Sequence, residues 1–186
     1  MNVDKGKGRR QFLLLVALFL GPVVLAVLLY FGGLDLRPSG SVAHGELISP
    51  VVELPIIDDV ATFRGAWTLA ILDGGECAAS CAEALVKIRQ IRLSLGREME
   101  RIERILVIDG GSPALDQLLT GHPGLQIVDA NDPQVARLVA DFPGPVADSL
   151  YLVDPLGNLM MRFERSAEPK AIRKDLKRLL RLSSIG

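Results

Sequence analysis

The chain has 186 residues, with 21 Lys and Arg against 22 Asp and Glu and a formal net charge of −1 at pH 7. Residues 38–186 alone carry a net charge of −4, whereas a nucleic-acid-binding domain typically has a net positive charge. Apart from one apolar segment near the N-terminus, the remaining length suits a single compact domain with its own core.

The N-terminal part of the chain contains one uncharged apolar segment, residues 12–31, with the sequence FLLLVALFLGPVVLAVLLYF. A helix of this length crosses a hydrocarbon core of ~30 Å, and a membrane-spanning helix tolerates the pair Gly21-Pro22. Four basic residues lie between positions 5 and 10, whereas only Arg37 closely follows the segment. This asymmetry predicts a cytoplasmic N-terminus in a bacterial inner membrane, with everything after the segment in the periplasm.

A cleaved signal peptide is the alternative interpretation of this segment. Ser41-Val42-Ala43 loosely resembles a cleavage site, but it lies far beyond the apolar segment, which is longer than a signal-peptide core of about 7–15 residues. An uncleaved anchor is therefore favoured. The predicted organisation is a cytoplasmic tail over 1–11, a transmembrane helix over 12–31, a polar tether over 32–49 and one periplasmic domain over 50–186.

Beyond the tether, short apolar runs alternate with segments of helical periodicity. Strands are predicted over 67–72, 105–108, 125–128, 150–153 and 159–163. Helices are predicted over 79–95, 113–119, 133–140 and 168–182. Asp154-Pro155-Leu156-Gly157, between the last two strands, has the composition of a hairpin turn. The order β-α-β-α-β-α-β-β-α predicts an α/β fold of the thioredoxin-like type, with a central mixed sheet flanked by helices.

Cys77 and Cys81 are the only cysteines, and they fall where the first strand predicted after the tether meets the first long helix. Residues i and i+4 share one helix face, so both sulfurs can converge on one ion or on each other. The N–H groups at a helix N-terminus lower the pKa of a nearby thiol, although Glu76 and Glu83 oppose that shift. The pair is therefore a redox couple, a site for a soft metal ion or a local disulfide staple.

A purely structural staple is the less favoured of these three interpretations. The stabilisation that a disulfide gives through loop closure grows with the length of the loop, and this loop is very short. A bond within one helical turn also holds no distant elements together. The spacing therefore favours a chemical role for Cys77 and Cys81.

Several features occur together in this chain: an apolar anchor, a tether, Trp67 on the first strand, Cys77-Ala-Ala-Ser-Cys81 at the strand–helix junction and Asp154-Pro-Leu-Gly157 in the hairpin. Together they resemble the Sco/SenC family, and the stretches RQIRLSLGREMERIERILV and YLVDPLGNLMMRF resemble Sco-related proteins of proteobacteria. Members of that family are membrane-anchored, thioredoxin-like proteins that bind copper and help to build the binuclear copper centre of cytochrome c oxidase.

The resemblance implies two roles for Cys77 and Cys81. They either hold Cu(I) transiently, as metal ligands, or act as a redox pair that keeps the copper-ligand cysteines of a partner reduced. The implied partners are cytochrome c oxidase subunits or other oxidase assembly factors. The resemblance favours a metallochaperone or assembly factor over an enzyme. Activity as a thiol-disulfide reductase is the alternative.

The chain departs from the Sco pattern at the third copper ligand, a histidine eight residues before the hairpin aspartate. Counting back from Asp154 gives Val146, and residues 147–149 are Ala, Asp and Ser. The two cysteines can therefore be carried over as copper ligands, but the histidine cannot. This departure favours, as an alternative, a non-catalytic assembly or scaffold protein with a degenerate copper site.

Other donors for a third ligand are few. His122, in the loop Gly121-His122-Pro123-Gly124, is the weak candidate, and His44 lies in the predicted tether. Met160 and Met161 are soft enough for Cu(I), but two neighbouring residues of a strand more often pack, one in the core and one at the surface.

A general thiol-disulfide oxidoreductase is a further alternative. Enzymes of the thioredoxin type present CxxC and a cis-proline just before the hairpin strand, whereas this chain has CxxxC, with Asp148 or Ser149 at about the place of that proline. A carboxylate near a dithiol raises the thiol pKa. Reduction of a specific partner is therefore favoured over general disulfide exchange.

The predicted C-terminal helix carries six basic residues between positions 170 and 181. A solvated helix face is the simple interpretation of this run. The alternative is a docking surface for an acidic partner or for phospholipid headgroups.

Overall fold

The computed structural model describes residues 5–31, 43–56, 63–73, 77–108 and 115–185. The chain divides into two compact units, residues 1–41 and 42–186. In the first unit, helix α1 spans Lys5–Phe31 with Pro22 inside it. Among the described helices, only α1 is long and apolar enough to cross a membrane, over its segment Gly8–Leu29. The predicted apolar helix over 12–31 therefore lies within α1.

The second unit contains a six-stranded mixed sheet. Its strands are β1 (Glu46–Glu53), β2 (Trp67–Leu72), β3 (Ile102–Ile108), β4 (Leu125–Asp129), β5 (Ser149–Val153) and β6 (Asn158–Glu164), in the spatial order β1-β6-β5-β2-β3-β4. Strands β2, β3 and β4 are parallel, whereas β5, β6 and β1 join by antiparallel pairing. The helices are α2 (Ala79–Leu93), α3 (Leu115–Gly121), α4 (Pro133–Ala140) and α5 (Pro169–Leu182). Short 3₁₀ turns cover Gly96–Arg101 and Val146–Asp148.

The two faces of the sheet bury two separate apolar clusters. Because side chains alternate along a strand, Leu69 and Ile71 of β2 pack on one face with residues of α2 and α5. Ala70 and Leu72 pack on the other face with residues of α4. Every residue of β2 is buried, which explains why this central strand is an uninterrupted apolar run. The predicted thioredoxin-like α/β fold, a mixed sheet between helices, is confirmed.

The hairpin between β5 and β6 is organised by the predicted turn residue Asp154. Its carboxylate accepts hydrogen bonds from the N–H groups of Leu156 at 2.9 Å and Asn158 at 2.8 Å. Gly157 has a φ of +90°, a conformation that favours glycine. In α4, which begins at the predicted Pro133, the Asp132 side chain caps the helix by accepting from Gln134 N–H at 2.7 Å.

Strand β1 was not predicted, and the structure differs here from the predicted organisation. It begins at Glu46, inside the range 32–49 predicted as tether, and it pairs with β6 at the edge of the sheet. Most of its residues are exposed, and the cis peptide bond Ser49-Pro50 lies within a stretch of irregular register between Leu47 and Val52. An edge strand tolerates proline and can be exposed on both faces. The sequence of β1 therefore lacks the apolar run that predicts the buried strands.

Candidate functional site

Cys77 and Cys81 form a disulfide bond, with an S–S distance of 1.99 Å and a Cα–Cα distance of 5.0 Å. Cys81 lies in the first turn of α2 and is 0% exposed, within the apolar cluster between the sheet, α2 and α5. Cys77 lies two residues before α2 and is only half-buried. The two cysteines thus differ in environment, because Cys81 is fully buried and Cys77 is partly exposed.

The backbone around Cys77 is unusual. Cys77 has a φ of 51° and is the one non-glycine residue with a positive φ in the part of the chain that the structure describes. A residue with a Cβ adopts this left-handed conformation at a cost of about 1 kcal/mol or more. At the start of α2, Ala78 provides no side-chain cap, so the first-turn N–H groups stay able to stabilise a thiolate.

An ion pair that the sequence did not reveal lies at the same edge of the sheet, where β2 ends. Arg165 Nη1 is 3.3 Å from Asp73 Oδ2, and Arg165 Nη2 donates to the carbonyl of Leu72 at 2.9 Å. The backbone N–H of Arg165 donates to the carbonyl of Asp148 at 2.8 Å. Lys87 of α2 donates to the carbonyls of Arg165 and Ala167. No local pattern marks Arg165, because its partners are distant in sequence.

The segment before β5 stands at the end of β2, because Ile71 pairs with Leu150 in the antiparallel ladder. Ser149 is buried and donates its hydroxyl hydrogen to the carbonyl of Pro145 at 2.7 Å. A cavity of about 450 Å³ opens beside this segment. Its lining consists of Pro145, Asp148, Ser149, Arg162, Glu164, Arg165 and Ser166. The cavity therefore lies beside the segment that leads into β5 and beside the Arg165 side of β6.

His122 lies near the amino-terminal end of the parallel strands, whereas Cys77 follows the carboxyl end of β2. His122 comes three residues before β4. Leu125, the first residue of β4, pairs with Arg104 of β3, which in turn pairs with Leu69 of β2. The start of β4 is therefore level with the middle of β2, away from the end of β2 that precedes Cys77. His122 is 8% exposed. Burial, with smaller effects from Arg104 and Arg89, lowers the pKa of its imidazole. The structure does not bring this candidate third ligand to the cysteines.

The other candidate donors have structural partners. His44 Nδ1 is 3.1 Å from Asp175 Oδ1, and the backbone N–H of His44 donates to Asp175 Oδ2 at 2.7 Å. Met161 is buried in the apolar cluster that also contains Cys81, and Met160 packs against that cluster. In the described ranges, no group of three or more His, Cys, Asp and Glu side chains is arranged to hold a metal ion.

Two comparisons with known families decide where this sequence belongs. Residues 67–183 match the transmembrane-like, thioredoxin-like, C-terminal domain model. The chain belongs to the transmembrane-like, thioredoxin-like family. Residues 3–33 of this transmembrane-like, thioredoxin-like protein also match the family's transmembrane-like N-terminal domain. No curated protein matches the sequence.

Among solved structures, the neighbours of this transmembrane-like, thioredoxin-like protein include copper-bound Sco proteins. Yeast Sco1 with copper bound is 16% identical, with a TM-score of 0.56 over 65% of this chain and 82% of that one. Copper-bound ScoI of Arabidopsis thaliana is 11% identical, with a TM-score of 0.52 over 65% and 87% of the two chains. Copper-bound ScoI of Bradyrhizobium japonicum is 18% identical, with a TM-score of 0.50 over 62% and 86%. At these identities the likeness shows a shared fold.

Proposed function

We propose that this protein is a membrane-anchored accessory factor of cytochrome c oxidase biogenesis. In this proposal α1 spans the bacterial inner membrane, residues 1–11 are cytoplasmic, and the thioredoxin-like domain lies in the periplasm. The observation that carries the proposal is the disulfide between the half-buried Cys77 and the buried Cys81 at the start of α2. Its reduced form would act on the copper-ligand cysteines of an oxidase subunit or of another assembly factor.

The geometry favours disulfide reduction with assigned roles for the two sulfurs. In the reduced protein the Cys77 thiolate attacks a sulfur of the partner's disulfide, which forms a mixed disulfide and releases one partner thiolate. Cys81 then attacks Cys77 Sγ, closing the intramolecular disulfide and releasing the second partner thiolate. Two electrons pass to the partner, and a dithiol reductant of the same compartment restores the pair. The half-buried Cys77 meets the partner, and the buried Cys81 resolves the intermediate.

Cu(I) handling is the second candidate function of the same pair. Two thiolates form a soft donor set of low coordination number, which suits Cu(I) better than Cu(II). Cys77 and Cys81 fit that role because their sulfurs already meet in the disulfide. Three of the structural neighbours are copper-bound Sco proteins, which supports the proposal through the shared fold. A partner would complete the coordination, because His122 lies near the other end of the parallel strands.

The decisive experiment compares bacterial strains that carry the wild-type gene, a deletion, the double variant Cys77→Ser/Cys81→Ser, or the control Ser80→Ala. Ser80 is exposed and lies between the two cysteines, so its replacement leaves the dithiol unchanged. Oxidase activity and oxidase copper content are measured in membranes. The proposal predicts that the deletion and the double variant lose both, and that the control keeps both.

The other outcomes separate the alternatives. Normal oxidase in the double variant, together with a defect in the deletion strain, would favour a scaffold that does not use its cysteines. A broad loss of disulfide reduction in many exported proteins would favour a general thiol-disulfide oxidoreductase. A deletion strain with normal oxidase would remove the assignment to oxidase biogenesis.

A further inference from the structure

Helix α5 carries a continuous face of exposed cations. The residues of this face, called here the α5 basic face, are Lys170, Lys174, Lys177, Arg178 and Arg181. Their spacing of three, four and seven residues places them on one side of the helix. Ile172, Leu176 and Leu180 are buried on the other side. Within the described structure, none of the five cations forms an ion pair.

The single acidic residue of α5 does not balance this charge at the surface. Asp175 is 4% exposed. Its carboxylate accepts hydrogen bonds from the backbone N–H groups of His44 at 2.7 Å and Gly45 at 3.0 Å. The carboxylate is therefore turned inward and already has donors, which leaves the cations of the α5 basic face free for an external anion.

The same contacts join helix α5 to the first described residues of the domain. Residues 32–43 separate His44 from the end of α1 at Phe31. Even fully extended, that connection reaches only about 40 Å. His44 and Gly45 are held at Asp175 in the middle of α5, so the length of this connection limits how far α5 can lie from the membrane proposed to hold α1.

The C-terminal end of the α5 basic face adds exposed apolar side chains. Leu182, one turn beyond Arg178, is 74% exposed, and Ile185 is 53% exposed. Arg101 holds this end in place by donating to the carbonyls of Leu180, Ser183 and Ile185 at 2.9–3.0 Å. A basic face flanked by exposed aliphatic residues is the pattern of a surface that lies on anionic lipid.

From these observations we propose that the α5 basic face binds the anionic phospholipid headgroups of the membrane that holds α1. A groove of about 400 Å³, lined by Lys174, Asp175, Lys177, Arg178 and Arg181, is present on this face. A domain on a connection of this length can reach the phosphates of the phospholipid headgroups. The proposal rests on the membrane anchoring proposed above but not on the chemistry of the cysteines. Docking would hold one side of the domain against the bilayer.

The test uses the full chain in nanodiscs of phosphatidylcholine, alone or with roughly one third phosphatidylglycerol. A neutral, water-soluble amine-reactive ester labels the lysines, and mass spectrometry measures the rate at each one. We expect labelling of Lys174 and Lys177 to be about threefold slower or more in the anionic discs, and the difference to disappear in about 0.5 M NaCl. Lys87, whose Nζ donates to two backbone carbonyls, serves as the internal control.

Matched variants make the result specific. Lys177→Gln/Arg178→Gln removes two charges from the α5 basic face and should abolish the lipid-dependent slowing at Lys174. Arg137→Gln, on an exposed position of α4, should keep it, and so should Cys77→Ser/Cys81→Ser. Melting curves establish that each variant is folded.

Two outcomes would overturn the proposal. Equal labelling rates in the two kinds of disc would show that the face does not recognise lipid charge. Slowing in native membrane vesicles but not in purified anionic discs would instead assign the face to an acidic protein partner. Neither outcome bears on the thiol chemistry of Cys77 and Cys81, which the oxidase strains test separately.

Discussion

Cys77 and Cys81 share one disulfide bond but not one environment, since Cys81 is 0% exposed and Cys77 is half-buried. The covalent link joins a residue of the loop after β2 to a residue inside the core of the domain. A partner thiol or disulfide therefore meets Cys77 first, and this asymmetry leads to the first prediction.

Single serine variants should separate the two sulfurs. Cys81→Ser should trap a mixed disulfide between Cys77 and a partner or a small disulfide reagent, because no internal thiol remains to resolve it. Cys77→Ser should form that adduct more slowly by about an order of magnitude, because the remaining thiol is buried. Non-reducing electrophoresis and intact mass measure both rates. Equal rates for the two variants would contradict the assigned roles.

Loss of the disulfide should change the stability of the domain only modestly. The short loop between Cys77 and Cys81 limits the entropic stabilisation to about 2 kcal/mol. Release of Cys77 from its φ of 51° returns about 1 kcal/mol. We therefore expect the free energy of unfolding of Cys77→Ser/Cys81→Ser to fall by about 1 kcal/mol. Denaturant titration beside the Ser80→Ala control measures this, and a loss of about 4 kcal/mol or more would favour the structural staple.

His122 should make the domain less stable in mild acid. Burial lowers the pKa of its imidazole in the folded state, so below about pH 6.5 the unfolded chain binds a proton that the folded chain does not. The stability associated with His122 is thus present above that pH and is lost as the pH falls toward the lower folded-state pKa. His122→Gln should therefore reduce the acid-induced loss of stability. Denaturant titrations at several pH values test this, and an unchanged pH dependence would refute it.

The contacts of Asp175 with His44 and Gly45 should stabilise the folded domain. Asp175→Ala leaves the N–H groups of His44 and Gly45 without their acceptor, and we expect a loss of about 2–3 kcal/mol in the free energy of unfolding. Asp141→Asn, at an exposed position after α4, should change it by less than about 0.5 kcal/mol. Thermal and denaturant unfolding measure both. Similar effects for the two substitutions would mean that the Asp175 contacts contribute little.

The sequence by itself determined the fold class and most of the elements of the domain. The central strands are apolar on both faces, so β2 was predicted with its observed bounds, Trp67–Leu72. Proline and an Asx cap mark the start of α4, and Asp154 marks the hairpin turn. These signals are local in sequence, because they arise from burial, helix capping and turn conformation within a few residues. The cysteine pair was found from its position where a strand meets a helix, but the prediction that both cysteines share one helix face was wrong, because Cys77 lies before α2 with a positive φ.

Only the tertiary structure decided which side chains share the edge of the sheet with Cys77. Arg165 joins Asp73 and Leu72 across more than 90 positions of sequence, and Asp175 binds His44 across 131. Strand β1 forms because it pairs with β6 at the edge of the sheet. His122 lies far from the cysteines because β4 runs parallel to β2 and β3, so that its start is at the other end of these strands. Strand order and register create these contacts, and neither leaves a periodic or compositional signal in a single sequence.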